Sequence, residues 1–376
     1  MKSLVEGFSD FERAGTISGL RVIDDATFEV RFSTPFRMAL EQLSGNRFSA
    51  FREVGGKFVG TGAYVIEELA PELLRLRPNE YFPNAPKADI LLSSVSATKV
   101  FTELEAGRLD VVAYAMGNGI PGGPTNKGKL SVIVGQDALH RALYTNNRKG
   151  RLFEKREYRL AFQYLVHEYL KSHPEFLGNP SYTAVDAQIY LPFQAGRLDE
   201  ADVNSIIETG KKFVPDLLAA AKKNPPISIE TSEYSMRAVF KSLGLEISPE
   251  SRTAERSEIF EIIYKGEAAD IIPGSFGVAS GDPDGIYHKL GRSGAIASPM
   301  TYNEPVAKML EEGRQLVRKD QLDAFYQKVS RRVLEEVPLV HVGFNKAISI
   351  YRNDKVKVAE RILRRNEGHL NIFEAK

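Results

Sequence analysis

The stretch of sequence that most restricts the fold runs from 225 to 279, where short apolar segments alternate with amphipathic helical ones. In chain order the five segments, strand and helix in turn, are 227–229, 234–243, 245–247, 254–264 and 269–272. Gly244 and Gly266 stand where the two helices end. Because parallel strands need a long crossover between them, this order predicts an α/β layer with a parallel sheet and right-handed connections.

The length of the chain predicts more than one lobe. It has 376 residues, and single hydrophobic cores stop growing at about 250–300 residues. The 50 Lys and Arg balance 49 Asp and Glu, for a formal net charge of +1. No global field would therefore draw the protein to nucleic acid or to an anionic membrane, and we expect no nucleic-acid partner.

The sequence contains no cysteine, which excludes disulfides, thiolate metal sites and a cysteine nucleophile. Every apolar stretch is interrupted before the roughly 18 residues that a membrane-spanning helix needs. The first ten residues lack the apolar core and cleavage site of a secretory signal. We therefore expect either that the chain stays in the cytoplasm or that a presequence is missing from it.

Apolar periodicity predicts further elements on both sides of the 225–279 run. They are a hairpin from Leu20 to Phe32, a strand pair around 70–71, a helix over 97–106 closed by Gly107, a strand over 109–114, a strand over 130–134, a long helix over 155–171, helices opening at Asn303 and Asp320, and strands over 339–344 and 347–351.

Three short motifs that are typical of enzymes are incomplete. Gly117, Gly119 and Gly122 fit a dinucleotide-binding pattern, but prolines follow where a helix should present its N–H groups to a pyrophosphate. Ser96 and Lys99 lack the companion motifs of acyl-enzymes that use this pair. The serine of Gly274-Ser275-Phe276-Gly277 has a proline where a nucleophile elbow needs glycine.

Histidines and basic residues also give no reactive site. His167 and His173 are six residues apart on a predicted helix, so they point about 120° apart and do not converge on a metal. The basic run from Arg148 to Arg159 is typical of a solvated helix start. With no catalytic constellation, cofactor motif or metal ligand set, a two-lobed α/β chain is better explained as a binding protein than as an enzyme.

Five motifs, in a fixed order, resemble one known family. They are Gly60-Thr61-Gly62-Ala63-Tyr64, the run from Arg77 to Phe82, the run from Leu104 to Asp110, Asn146-Asn147 followed by Phe153, Arg156 and Ala161, and Gly281-Asp282-Pro283-Asp284. These are similar to the motifs of the family 5 solute-binding proteins of ABC importers, which include dipeptide, oligopeptide and nickel receptors. The resemblance covers nearly the whole chain, from Leu20 to Phe344.

The resemblance implies an α/β, two-lobed periplasmic-binding-protein-like fold of type II, cluster C-like, with a remnant of a third small lobe. Residues 1–57 would be that remnant, 58–147 with 338–376 a discontinuous main lobe, and 148–337 an inserted second lobe. Hinge strands are expected to cross near Asn146-Asn147 and near Pro338. The family's N-terminal section, with its export signal, is expected to be missing from this chain.

The resemblance also places ligand-binding residues in the cleft between the lobes. They are Tyr144, Asn146, Asn147, Ser275, Phe276, Gly277, Val278, Ala279 and Asp282. In peptide-binding relatives an aspartate at the position of Ala279 pairs with the α-ammonium of the peptide. Free-amine peptides are therefore doubtful ligands unless Asp282 or another residue supplies the charge. Phe276 could instead be a core residue, and the two asparagines could instead satisfy turn backbone groups.

The function that the resemblance implies is capture of a peptide or peptide-like solute and its delivery to the membrane permease of an ABC importer, without cofactor or catalysis. Such a receptor is expected to be a monomer in the periplasm or on the extracellular face of the membrane. A cytoplasmic ligand-sensing module with the same fold and, third, a hydrolase with an unrecognised site stay open as alternatives.

Overall fold

The computed structural model describes residues 17–24, 27–33, 35, 37, 51–55, 57–83, 85–96, 99–116, 128–177, 183–231, 236–265, 269–277, 282–292, 294, 297–358 and 373–375. Several sequence predictions fall outside these ranges, among them the glycine motif at 117–122, the ligand-site residues Val278 and Ala279, and Gly281 of the motif at 281–284.

The described strands are numbered β1 to β16 in chain order. They are Ile17–Val22, Phe28–Phe32, Phe51–Val54, Lys57–Gly60, Tyr64–Ala70, Leu73–Pro78, Ile90–Ser93, Val111–Met116, Leu130–Thr145, Thr183–Val185, Ile229–Glu230, Arg252–Thr253, Ile271–Phe276, Val340–Arg352, Val356–Val358 and Phe373–Ala375.

The described α-helices are numbered α1 to α9. They are Val100–Glu105, Arg156–Ser172, Glu200–Glu208, Val214–Lys223, Arg237–Ser242, Arg256–Lys265, Tyr287–Leu290, Glu304–Arg314 and Leu322–Glu336.

Two long strands, β9 and β14, form the centre of the molecule. They pair antiparallel from Val340 opposite Leu143 to Arg352 opposite Leu130. Strands β10 and β13 extend the sheet on either side of one end of this pair, in the order β10-β14-β9-β13. Strand β8 pairs with the other end of β14. The two ends of one strand pair therefore belong to two different sets of neighbours.

Each end of the β9–β14 pair has its own hydrophobic core. Leu130, Ile348 and Ile350 pack with helix α1 in one core. At the other end the sheet has a core on each face, one that includes Tyr144 and Ile272 and one that includes Leu143 and Val340. The molecule thus has two lobes, and β9 and β14 both continue from one lobe into the other.

The strands pass between the lobes some residues away from the predicted hinge positions. The register of β14 against β9 shifts between Lys346 and Ile348, which marks an irregularity where the two sets of neighbours meet. Asn146, Asn147 and Pro338 lie beyond the far end of the pair, in the second lobe. The sequence predicted separate strands here because Asn345 and Lys346 interrupt the apolar pattern, but the backbone ladder continues through them.

The parallel strand pairing predicted for residues 225–279 is confirmed, but one of the three predicted strands lies elsewhere in the sequence. β11 pairs parallel with β12, and Ser228 forms a parallel bridge with Ile271 at the start of β13. The strand expected at 245–247 is absent from the described residues, and β12 at Arg252–Thr253 takes its place beside β11. The apolar residues at 245–247 predicted a strand wrongly, because Leu245 is buried in a core without being in a strand.

The helices opening near Asn303 and Asp320 are confirmed as α8 and α9. Asn303 Oδ1 accepts a hydrogen bond of 3.1 Å from the Val306 N–H, as expected of an N-cap residue. Helix α9 buries Tyr326 and Val329 on one face, as its amphipathic pattern predicts.

Arg159 on α2 is buried, although the basic run that contains it predicted a solvated surface. Its guanidinium donates to the Glu336 carbonyl at the end of α9, at 2.9 and 2.8 Å. It also donates to the carbonyls of Phe153 and Glu154, at 3.0 and 2.9 Å. One side chain therefore satisfies backbone acceptors of two separate elements.

We expect Arg159→Leu to lower the free energy of unfolding by about 3–5 kcal/mol, because three buried or partly buried carbonyls lose a charged donor. Arg156→Leu is the matched control, since Arg156 is half exposed and donates to one carbonyl, that of Glu335. Urea unfolding measures both variants. Equal losses in the two would contradict the role given to Arg159.

Candidate functional site

The predicted ligand residues lie on two neighbouring strands and the segments that follow them. Tyr144 belongs to β9, and Asn146 and Asn147 come directly after it. Ser275 and Phe276 end β13, with Gly277 next to them. Because β13 pairs antiparallel with β9, Phe276 lies opposite His140 rather than opposite Tyr144.

Tyr144 and Phe276 form one aromatic face of the sheet. Both are buried in the same core. The His140 ring stacks on Phe276, with 4.6 Å between ring centroids and 11° between planes. Gly274 lies beside Tyr144, and a Cβ there would be 2.8 Å from Tyr144 Cε2. The ring can therefore lie flat over β13 only because position 274 has no side chain.

We expect Gly274→Ala to destabilise the fold by about 1–3 kcal/mol, because the new methyl group displaces the buried Tyr144 ring. Gly62→Ala is the control, since no atom lies within 4 Å of a Cβ built there. Thermal unfolding compares the two variants. A loss in Gly274→Ala no larger than in the control would show that the ring does not depend on this glycine.

Sequence reasoning missed Lys289, which lies against this aromatic face. It belongs to the short helix α7 and is 3% exposed. Its Nζ is 4.0 Å from the ring centroid of Tyr144 and 5.9 Å from that of Phe276. Burial lowers the pKa of its ammonium to about 7. A lysine within an apolar helical pattern is the only sequence signal that could have indicated it.

Asn146 and Asn147 hold the end of β9 by backbone and side-chain hydrogen bonds. Asn146 donates through its N–H to Asp270 O and through Nδ2 to Ala269 O, at 2.9 and 2.8 Å. Asn147 donates through its N–H to Met300 O and through Nδ2 to Pro338 O, at 2.8 and 2.9 Å. The two residues therefore connect four chain segments within the second lobe.

Asp282 is in an ion pair. Its two oxygens accept bonds of 3.1 and 2.6 Å from the guanidinium of Arg37, in the N-terminal part of the chain. Oδ1 also accepts from the Asp284 N–H at 2.8 Å, at the start of a 3₁₀-turn over Pro283–Ile286. This carboxylate is the one that the sequence offered as a substitute partner for a peptide ammonium, and the structure directs it at an arginine.

Among the described strands, β13 is the last on its side of the sheet. Its first residue, Ile271, is covered by the bridge to Ser228. Past Ile271, no described strand pairs with its outer edge. An edge strand directs backbone N–H and C=O groups away from the sheet at every second residue, where an extended chain can pair with them.

Two buried histidines, His140 and His341, lie at this face, and a third, His167, is buried on α2. His140 Nδ1 and His341 Nε2 are 3.2 Å apart, and His341 Nδ1 is 2.9 Å from Asp186 O. Desolvation lowers the pKa of His140 to about 3 and that of His167 to about 4. It also lowers the pKa of His341 well below the usual value. The folded protein keeps all three neutral.

We expect the free energy of unfolding to fall as the pH drops below about 6.5, because the unfolded chain then binds protons that the buried histidines do not. Each contributes about 1.4 kcal/mol per pH unit until the pH reaches its folded pKa. His140→Gln should therefore reduce the slope of unfolding free energy against pH by about 1.4 kcal/mol per pH unit, the contribution of one proton. His173→Gln, at an exposed position, should leave that slope unchanged. Urea unfolding at pH 7, 6 and 5 gives the slopes. Identical slopes in wild type and His140→Gln would contradict this assignment.

The sequence matches one family model, that of bacterial extracellular solute-binding proteins, family 5 Middle, over residues 3–168. Over these residues the chain is similar to the family 5 solute-binding proteins. The resemblance found in the sequence motifs is confirmed. No protein among the curated sequences matches this one.

Solved structures of low sequence identity share the fold. A dipeptide-binding protein from Pseudoalteromonas, in complex with Met-Leu, has a TM-score of 0.78 and 13% identity, with 98% of this chain and 78% of that chain covered. DppA from Helicobacter pylori, in complex with the peptide STSA, has a TM-score of 0.76 and 15% identity, covering 98% and 76%. NikA from Staphylococcus aureus, in complex with Ni(L-His)2, has a TM-score of 0.74 and 17% identity, covering 96% and 80%. The predicted two-lobed periplasmic-binding-protein-like fold is confirmed.

The described residues hold neither a metal-ligand cluster nor a membrane-spanning helix. No group of three or more His, Cys, Asp or Glu side chains there could hold a metal ion. Within the same ranges, no helix has both the length and the apolar character needed to cross a bilayer.

Proposed function

We propose that this protein is the solute-binding component of an ABC importer, which captures a peptide or peptide-like solute between its lobes and delivers it to a membrane permease. The observation that carries the proposal is that β9 and β14 each continue through the cores of both lobes. Two strands joining two separately packed bodies allow the lobes to rotate about them. A ligand that contacts both lobes then stabilises the closed arrangement.

The outer edge of β13 is the proposed ligand-binding element. An extended peptide that pairs with an exposed sheet edge gains main-chain hydrogen bonds without demanding a fixed side-chain sequence. Ser275, Phe276 and Gly277 supply this edge, and Val278 and Ala279 continue it in the sequence. The ligand contacts of Tyr144, Asn146, Asn147 and Asp282 stay a prediction.

Similarity to relatives supports the solute class. The Pseudoalteromonas and Helicobacter proteins are in complex with peptides, and the Staphylococcus protein with a nickel–histidine complex. We extend to this chain the capture of a small solute, the partnership with a permease, the monomeric state and a location outside the cytoplasm. We also propose that residues 1–57 are the remnant of the small lobe. The main lobe and the second lobe then meet at the middle of β9 and β14, and not at the expected boundaries of 147 and 338.

Ligand-dependent thermal stability tests the proposal. The panel contains dipeptides, short peptides up to nine residues, end-blocked peptides, agropinic acid and Ni(L-His)2. Mass action predicts a saturable rise in melting temperature, since a ligand at 100 times its Kd adds about 2.7 kcal/mol to the free energy of unfolding. Saturable stabilisation by none of these compounds would contradict the proposed function.

The role of the β13 edge is tested by Gly277→Pro, which removes one N–H just past the last residue that pairs with β9. We expect binding to weaken at least tenfold with little change in the melting temperature of the free protein. Gly277→Ala retains the N–H and is the matched control. Equal affinities for Gly277→Pro and Gly277→Ala would show that the solute does not pair with this edge.

A further inference from the structure

Asn345 lies on β14 at the boundary between the two lobes. It pairs with Thr183, the first residue of β10 in the second lobe, whereas Ala347, two residues further on, pairs with Met116 of the other lobe. Between these two rows of the sheet, Lys346 is exposed. Asn345 therefore occupies the last row in which β14 still has β10 beside it, at the place where the lobes meet.

The side chain of Asn345 is enclosed without a hydrogen-bond partner. It is 2% exposed, and within the part of the chain that the structure describes neither its Nδ2 nor its Oδ1 has a partner. A side-chain amide carries two N–H donors and an acceptor oxygen, so exchanging its two ends leaves both kinds of group unsatisfied. Such a group opposes folding, because it has lost its bonds to water and gained none in return, which a leucine of similar volume avoids. Enclosed polar groups of this kind mark places that a ligand or an ordered water completes.

Asn345 shares a face of the sheet with Ser275 at the end of β13. The residue opposite Asn345 on β9 is Leu139, and the residue opposite Ser275 is Arg141, two positions along the same strand. Because residues two apart on a strand point to one side, both side chains lie on the same face. Two strand spacings, about 10 Å, separate β13 from β14, and an extended chain covers that distance in about three residues. A short solute that pairs with the end of β13 and crosses this face therefore reaches Asn345.

We propose that the side-chain amide of Asn345 binds the main-chain N–H and C=O of one residue of the solute. These two groups point to the same side of an extended chain, so Nδ2 donates to the C=O while Oδ1 accepts from the N–H. The inference rests on the proposed function and specifies the class of solute, which is one that contains a peptide bond. The amide is neutral and contacts the main chain alone, so this contact requires neither a free amine nor a particular side chain. A nickel complex of free histidine has no peptide bond to offer it.

The test uses a mixed tripeptide library in three forms: intact, with an ester in place of the first peptide bond, and with an ester in place of the second. Each ester removes one main-chain N–H. Affinities are measured with wild type, with Asn345→Leu and with the control Asn224→Leu, which changes an exposed asparagine just after α4. We expect one of the two esters to weaken binding to wild type and to the control about 5- to 30-fold, because it leaves Oδ1 without a donor. The same ester should bind Asn345→Leu as well as the intact library does.

Asn345→Leu removes an unsatisfied polar group, so without solute its melting temperature is expected to equal or exceed that of wild type, which separates lost binding from lost folding. A lower melting temperature would show that the amide already has a partner such as a buried water, and the inference would be wrong. It is also wrong, while the proposed function stands, if each ester costs wild type and Asn345→Leu the same affinity or if Ni(L-His)2 binds and no tripeptide does. If no tripeptide and no compound of the wider panel binds wild type, the proposed function itself fails.

Discussion

The antiparallel pairing of β9 with β14 is the interaction on which the rest of the structure depends. A single ladder from Leu130 to Leu143 supplies a sheet for one lobe at one end and for the other lobe at the other end. Hydrogen bonds along a ladder resist sliding and separation, but a sheet twists and bends at an irregularity. Two lobes joined in this way can change their relative orientation while each keeps its core.

Buried polar groups in the second lobe hold its chain segments together. Arg159, Asn146 and Asn147 satisfy backbone acceptors where helices and strands end, so their removal is expected to cost stability. These contacts fix the ends of the elements that surround the aromatic face of Tyr144 and Phe276.

Much of the fold could be predicted from the sequence because helices and strands have characteristic apolar periods. Asn303 as a helix cap and the buried stripe of α9 follow from local pattern alone. The continuity of β14 through Asn345 and Lys346 could not be predicted from local pattern, since it depends on pairing with a strand some 200 residues away. The same holds for Leu245, which is buried by tertiary packing although it is in no strand.

The candidate site was predicted in part. The family resemblance indicated the end of β13, and the structure adds that no other described strand lies beyond it on that side of the sheet. Lys289 and the pairing of Asp282 with Arg37 were not predictable, because both depend on contacts between segments that are distant in the sequence. Local pattern gives the elements, whereas the charges that meet at a site are decided by how those elements pack.

Closure of the two lobes on a solute can be measured directly because the chain has no native cysteine. Spin labels at Glu105→Cys on α1 and Lys222→Cys on α4, both exposed positions in different lobes, report the distance between the lobes. We expect saturating solute to shift the distribution of distances between the two labels and to narrow it. A distribution that stays unchanged while the solute demonstrably binds would contradict it.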